Sequence, residues 1–236
     1  MHIPDGFLNN QTNFSLIVVA STFCGLAFKK AKDFLFEKTE ALVPQLMTNV
    51  GLEINQPKIL NKLNLKLNAN KKIQQTAVVA AFIFACQMVN FPVSNGTSGH
   101  LLGGVLAAMV LGPWLGMLAI TGVLAVQALV FGDGGVLALG ANIFNMAVVG
   151  TIGGYYLYLL AVKIFKNKNI SIALAAWFSV ILASTACALE LAISKTISLN
   201  LVLPAMFFIH ALIGLGEALI TVFALKFLFN DYDSKK

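Results

Sequence analysis

The chain has 236 residues, of which 58% are apolar and only 11% are charged, with a mean hydropathy of +0.82 and a formal net charge of +6. A soluble domain carries about 25% charged residues. The composition therefore indicates an integral membrane protein and excludes a disordered chain, a coiled coil and a secreted disulfide scaffold. Cys24, Cys86 and Cys187 stand in apolar runs without CxxC spacing, so neither a disulfide framework nor a zinc knuckle is indicated.

Seven apolar stretches approach the roughly 20 residues that a helix needs to cross a bilayer. They cover residues 14–28, 76–93, 101–111, 114–131, 141–165, 170–194 and 201–229. The third is too short to cross alone, and Gly112-Pro113 separates it from the fourth because proline lacks the N–H that a continuing helix needs. We predict an all-α polytopic membrane protein with about seven transmembrane helices, forming a single domain over residues 1–236.

The distribution of lysine predicts the orientation. All 16 basic residues are lysines, and seven crossings place 15 of them on one face. The positive-inside rule then puts the amino terminus outside and the carboxyl terminus in the cytoplasm. The topology accounts for the net charge, so we expect no nucleic-acid partner. The first span is followed, not preceded, by lysines, which is the reverse of a secretory signal peptide, so we expect the first residues to be retained outside.

Residues 37–75 form one polar insertion, rich in Asn, Gln, Lys and Leu. Within it, residues 57–72 have the composition of a weak amphipathic element that lysines hold on the inner membrane leaflet. A loosely ordered cytoplasmic loop is the alternative reading.

Polar groups inside membrane spans are costly, and they are therefore candidates for function. The chain has only three histidines, His2, His100 and His210. The amine of Met1 and the amide of His2 can close a five-membered chelate ring on a metal ion, and the amide with imidazole Nδ1 closes a six-membered ring. Such an array of nitrogen donors suits Ni(II) or Cu(II), and imidazole also suits Co(II) and Zn(II).

A fourth donor is available from His100, which follows the loop 95–99 on the same predicted outer face as Met1. A histidine at position 2 is often only an exposed terminal residue, and a histidine after Thr-Ser-Gly can simply cap a helix. Both together on one face point to a metal site made of Met1, His2 and His100. The loop residues Asn95 and Ser98 are candidates for orienting these ligands.

His210 and Glu217 lie two helical turns apart, so they share one face of the last span. Two interpretations stay open for this pair. It lines the site and orients a ligand imidazole, or it is a buried pair that joins spans structurally. No GxxxxGK[ST] phosphate loop and no HExxH motif occurs in the sequence, so we expect neither ATP hydrolysis by that loop nor enzyme activity from this chain.

Several blocks in the same order resemble the CbiM/NikM family, the cobalt/nickel substrate-capture subunits (S components) of energy-coupling-factor ABC transporters. The blocks are MHIPDGFL at 1–8, QMVNFPV at 87–93, GTSGHLLGG at 96–104, LGPW at 111–114, DGG at 133–135, LGAN at 139–142, NMA at 145–147 and HALIGLGEALIT at 210–221. The insertion at 37–75 departs from the family pattern, in which this connection is usually short.

The resemblance implies a seven-helix fold in which the amino terminus inserts into the bundle from outside. It implies metal binding by the amine of Met1, the amide and imidazole of His2, and the imidazole of His100. It also implies a transmembrane coupling subunit, cytoplasmic ATPase subunits and, in many systems, a small accessory membrane protein as partners.

We therefore predict the substrate-capture subunit of an ATP-driven cobalt or nickel importer in a prokaryotic inner membrane, with no cofactor beyond the transported ion. Two rivals stay open: a stand-alone permease for the same ions, and a vitamin-type capture subunit with an organic substrate. The sequence does not choose between cobalt and nickel, since both accept nitrogen donors.

Overall fold

The computed structural model describes residues 1–35, 57–93 and 97–227, which form a helical bundle with one short β-hairpin. The described residues of the first half contain α1 Asn10–Leu35, α2 Pro57–Gln87, β1 Phe91–Val93, β2 Thr97–Gly99 and α3 Gly104–Leu111. The second half contains α4 Pro113–Val126 with a π-helical turn Gln127–Phe131, α5 Leu139–Asn142 with a π-helical segment Ile143–Gly153, α6 Gly154–Phe165, α7 Lys168–Ile193 and α8 Leu199–Phe227.

Five of the seven predicted apolar stretches correspond to membrane-length helices in the described part of the chain. Within the described part of the chain, five helical segments are long and apolar enough to cross a bilayer. They are Asn10–Asp33, Pro113–Phe131, Leu139–Phe165, Lys168–Ile193 and Leu199–Phe227. The protein is therefore a multi-pass membrane protein of the all-α class.

Three boundaries differ from the sequence prediction. Helix α2 begins at Pro57, so the second part of the 37–75 insertion is the start of a helix rather than a loop, while residues 36–56 lie outside the described residues. Proline is favoured in the first turn of a helix, and neither glycine nor a second proline interrupts the next 30 residues. The helix of the second span ends at Gln87 and that of the third begins at Gly104, because the chain between them turns into the hairpin.

Helix α3 has only eight residues, and seven of them are buried. It packs against α4, the π-helical segment, α7 and α8, and so occupies the interior of the bundle. Its approach to the π-helical segment is close, because a Cβ added at Gly104 would lie 2.6 Å from the carbonyl carbon of Gly150. A side chain at Gly104 would separate the two backbones, and one at Gly150 would meet the side chain of Leu102. Helix α3 therefore fixes the preceding residues, His100–Gly103, deep inside the protein.

The hairpin delivers that segment to the interior. Strands β1 and β2 pair antiparallel, with Phe91 opposite Gly99 and Val93 opposite Thr97. The chain then enters the bundle at His100, which is fully buried. The hairpin tip, residues 94–96, lies outside the described residues, and so does the predicted site residue Asn95.

The first residues of the chain also lie inside the bundle. Met1 and Ile3 are fully buried, whereas Asp5 and Gly6 are exposed. The chain then leaves the interior and begins α1 at Asn10. The two segments of the predicted site, residues 1–3 and 98–103, therefore meet within one core.

Candidate metal centre

The Met1 amine lies against strand β2. It donates a hydrogen bond to the backbone carbonyl of Ser98, two residues before His100. This contact joins the start of the chain to a residue 97 positions later. Ser98, a predicted neighbour of the site, therefore acts through its backbone oxygen, and the contact brings Met1 next to the segment that carries His100.

His2 lies between Asp133 and His100. Its Nδ1 donates to Asp133 Oδ1 at 2.9 Å, and its ring centroid is 4.5 Å from that of His100. Asp133 follows the π-helical turn at the carboxyl-terminal end of the α4 segment, where Asn90 Nδ2 contacts its other oxygen at 3.5 Å. The structure thus brings Met1, His2 and His100 together, with a carboxylate at one edge.

All three histidines share one hydrogen-bonding pattern. His100 Nδ1 donates to the Leu101 carbonyl at 2.7 Å, and His210 Nδ1 donates to the Met206 carbonyl at 2.7 Å, as His2 Nδ1 does to Asp133. The proton on Nδ1 leaves Nε2 as the nitrogen with a free lone pair. In the described part of the chain, each of these three Nε2 atoms is buried without a hydrogen-bond partner. A metal-ligating histidine usually has this arrangement.

The free nitrogen of His2 is not the one that the sequence argument uses. A six-membered chelate with the His2 amide requires Nδ1, which here is engaged by Asp133. The chelate therefore requires the imidazole to turn about its Cβ–Cγ bond and to release Asp133. Sequence reasoning missed this competition, because Asp133 is 131 residues from His2 and no spacing signal joins them.

The segment after His100 is held from two sides. The carboxylate of Glu217 in α8 accepts the N–H of Leu102 at 2.8 Å and that of Gly103 at 2.7 Å. Gln87, the last residue of α2, donates Nε2 to the Leu102 carbonyl at 2.7 Å. Among the described residues, Glu217 accepts hydrogen bonds from backbone N–H groups and not from an imidazole, so it fixes the backbone that positions His100.

His210 lies beneath the same segment. A Cβ added at Gly99 would lie 3.4 Å from His210 Nε2 and 2.6 Å from Ile213 Cδ1. Because its Nδ1 bonds to a carbonyl of its own helix, His210 makes no hydrogen bond to another element among the described residues. It contributes a buried ring next to the His100 segment.

Burial sets the charge state of the centre. It lowers the pKa of the Met1 amine from 8.0 to about 5. It also lowers the pKa of His2, against the opposing hydrogen bond to Asp133, and that of His100 well below 6.5. The hydrogen bond from His2 lowers the pKa of Asp133. At neutral pH the amine and both imidazoles are therefore neutral donors beside one carboxylate.

The donor set determines what the centre can hold. In residues 1–35, 57–93 and 97–227, no group of three or more His, Cys, Asp or Glu side chains is placed to hold a metal ion. A metal at this position therefore needs the backbone nitrogens of Met1 and His2 in addition to imidazoles. Nitrogen donors of this kind suit late first-row divalent ions.

Two further contacts escaped the sequence analysis. Asn142 bonds to the backbone of Ile3, and Asp5 accepts the backbone N–H groups of residues 136–138. The sequence shows Asn142 as a polar residue in an apolar run, which marks it as a candidate for a specific contact. The sequence does not show which residue it contacts, because the two partners are 139 residues apart.

Comparison with known proteins places the chain in a family. Residues 58–231 match the family model CbiM, described as the cobalt uptake substrate-specific transmembrane region. The cobalt transport protein CbiM of Thermosipho melanesiensis is 31% identical over 185 residues, which cover 77% of this chain and 74% of that protein. The NikMN protein of Archaeoglobus fulgidus is 44% identical over 158 residues, or 66% of this chain, and the match spans about half of that protein, 53%.

Solved structures agree with this assignment. A crystal structure described as that of a truncated transition metal transporter superimposes with a TM-score of 0.78 at 31% identity, covering 98% of this chain and 99% of that one. A second, described as a transition metal transporter, gives a TM-score of 0.76 at 30% identity. The likeness extends over the whole described fold.

The contact of Glu217 with the His100 segment gives a first test. In Glu217→Gln an amide NH₂ replaces one of the two acceptor oxygens and faces a backbone N–H, a mismatch that costs about 1–3 kcal/mol. We expect hydrogen exchange at Leu102 and Gly103 to accelerate by about tenfold or more, measured by mass spectrometry on the purified protein. Glu190→Gln is the matched control, because Glu190 is bonded by Asn145 instead. Equal exchange in both variants would refute the positioning role.

Proposed function

Because the chain belongs to the CbiM family and is a substrate-specific membrane component of cobalt or nickel transport, we propose that it is the capture subunit of an ATP-driven importer of Co(II) or Ni(II). The ion is the cargo of this subunit. The observation that carries the proposal is a buried, neutral Met1 amine next to His2 and to His100, whose imidazole Nε2 is buried and unpaired.

The proposed ligands are the amine of Met1, the amide and imidazole of His2, and Nε2 of His100. In this proposal the His2 ring turns away from Asp133 on metal binding, so that Nδ1 closes the chelate with the amide. Loss of the amide proton lowers the net charge of the complex, which reduces the cost of holding a cation in a poorly solvated bundle. Asp133 remains beside the site as a counter-charge.

The proposed orientation places this site on the external face, at the outer ends of the helices, and the carboxyl terminus in the cytoplasm, in agreement with the lysine distribution. Cytoplasmic ATPase subunits, a transmembrane coupling subunit and, in some assemblies, a small accessory membrane protein supply the energy and the reorientation. A stand-alone permease would continue to take up the ion without those partners, which separates the two functions experimentally.

The free amine is the most direct test. A single residue added before Met1 turns the amine into an amide and places bulk where the Ser98 carbonyl lies. Since loss of contacts around a ligand alone costs 10–100-fold in metal affinity, loss of the ligand should weaken Ni(II) binding by at least about 100-fold, measured by isothermal titration of the purified protein. One residue added after Lys236 is the control. Normal nickel affinity in the extended protein would exclude the chelate.

Alanine substitutions of His100 and His210 compare how much each histidine contributes to metal affinity. His100→Ala removes a proposed ligand, and we expect nickel and cobalt affinity to fall by about 100-fold or more while the protein remains folded. His210→Ala removes only a neighbouring ring, and we expect a loss of about tenfold or less. Equilibrium dialysis with each ion gives both values. An unchanged dissociation constant for His100→Ala would remove it from the site, and equal losses would make His210 a ligand.

The pH dependence tests the protonation states. With amine and imidazoles already neutral at pH 7, binding releases the amide proton alone, so affinity should fall about tenfold for each pH unit between 8 and 6. Below about 5 the Met1 amine gains a proton, and the decline should steepen. Titrations at fixed ionic strength give the slope. A flat profile between 8 and 6 contradicts amide ligation, and a two-proton slope near pH 7 contradicts a buried neutral amine.

A further inference from the structure

The side chain of Asn142 binds the backbone of Ile3 at two points. Its Oδ1 accepts the Ile3 N–H at 2.8 Å, and its Nδ2 donates to the Ile3 carbonyl at 3.2 Å. The same carbonyl accepts the N–H of Gly135 at 2.9 Å. Asn142 is buried, so these bonds have little competition from water. Both polar backbone groups of Ile3 are therefore fixed.

The backbone N–H groups of His2 and Ile3 differ in their hydrogen bonding. The N–H of Ile3 is committed to Asn142, whereas the N–H of His2 has no acceptor among the described residues. Around His2, the Met1 amine is held by Ser98, the imidazole by Asp133 and the following peptide by Asn142. Among the backbone nitrogens of residues 1–3, that of His2 is the one without an acceptor in the described part of the chain, and a chelate with the Met1 amine requires it.

A glycine at position 134 leaves space for the contact between Asn142 and Ile3. Gly134 has a φ of +89°, and a Cβ there would lie 3.0 Å from Asn142 Nδ2 and 3.2 Å from His2 Cδ2. Any other residue at this position would press on both side chains at once. Gly134 therefore leaves room for the Asn142 amide and the His2 ring to lie side by side.

A second anchor holds the segment independently. Asp5 accepts the N–H groups of Val136 at 3.2 Å, Leu137 at 2.8 Å and Ala138 at 3.2 Å, at the exposed rim of the bundle. Loss of the Asn142 side chain leaves these bonds and the Met1–Ser98 contact in place. The opening residues would then stay inserted, but the peptide after His2 would lose its fixed orientation.

We propose that Asn142 is a positioning residue of the capture site, which fixes the Ile3 backbone so that the His2 amide, and not its neighbour, faces the cation. This inference rests on the proposed function. It adds a residue outside the ligand set that sets the geometry of the donor plane, and so contributes to the preference for ions that accept a planar set of nitrogens.

The test compares Asn142→Ala, the isosteric Asn142→Asp and the control Asn145→Ala. Asn145 is a buried amide one turn further along, and its side chain donates to Glu190, not to the backbone of Ile3. Each purified protein is titrated with NiCl₂ and CoCl₂, and the visible ligand-field spectrum is recorded at saturation. The position of its band depends on the donor atoms around the metal, whereas a loss of folded protein would change only its intensity. Wild type and the amino-terminally extended protein are measured in parallel.

We expect Asn142→Ala to bind nickel about 10–100-fold more weakly, with the ligand-field band of planar Ni(II) shifted or lost, and Asn142→Asp to change in the same direction because an oxygen faces the Ile3 carbonyl. Asn145→Ala should keep the wild-type spectrum.

If Asn142→Ala cannot be purified in folded form, the affinity and spectrum of Asn142→Asp alone test the inference. Wild-type affinity and spectrum in the Asn142 variants, or equal effects in the control, would overturn the inference. Tight nickel binding by the extended protein would instead overturn the proposed function itself.

Discussion

The structure depends on the burial of a chain terminus. An amine in an apolar bundle is unfavourable in its charged form, and burial lowers the pKa of the Met1 amine to about 5. The amine is therefore held as a neutral group with one hydrogen bond, to the Ser98 carbonyl. Neutrality permits the insertion, and it also leaves a lone pair available to a cation. The neutral state that makes the amine tolerable inside the bundle also suits it to the proposed role as a metal ligand.

Two pieces of backbone, far apart in sequence, are fixed against each other around this amine. Residues 1–5 are bound by Asn142 and Asp133 on one side of the bundle and by the Asp5 contacts at its rim. The His100 segment is bound by Glu217 and Gln87. Most of these contacts are to backbone groups. The surrounding side chains thus position the proposed metal-binding groups mainly by bonding to the backbone. The imidazole Nε2 atoms of these segments are not used for positioning and stay unpaired.

Sequence reasoning reached the class of the fold and the residues that meet at its centre. Apolar length indicated the spans, and the rarity of histidine in an apolar chain indicated His2 and His100. It did not reach the contacts that orient them, because Asp133, Asn142 and Glu217 act across more than 100 residues. It left residues 57–72 open between an amphipathic element and a loop, because lysine and asparagine hide the continuity of the helix that runs from Pro57 to Gln87. Identity of a polar residue is visible in sequence, but its partner is not.

A crystal structure of the nickel- or cobalt-loaded protein, with anomalous scattering recorded at the metal edge, tests the account most directly. We expect one strong anomalous peak about 2 Å from the Met1 amine, the His2 backbone nitrogen and His100 Nε2, with the His2 ring turned from Asp133. A peak that lies elsewhere, or opening residues that lie outside the bundle in the loaded protein, would contradict it.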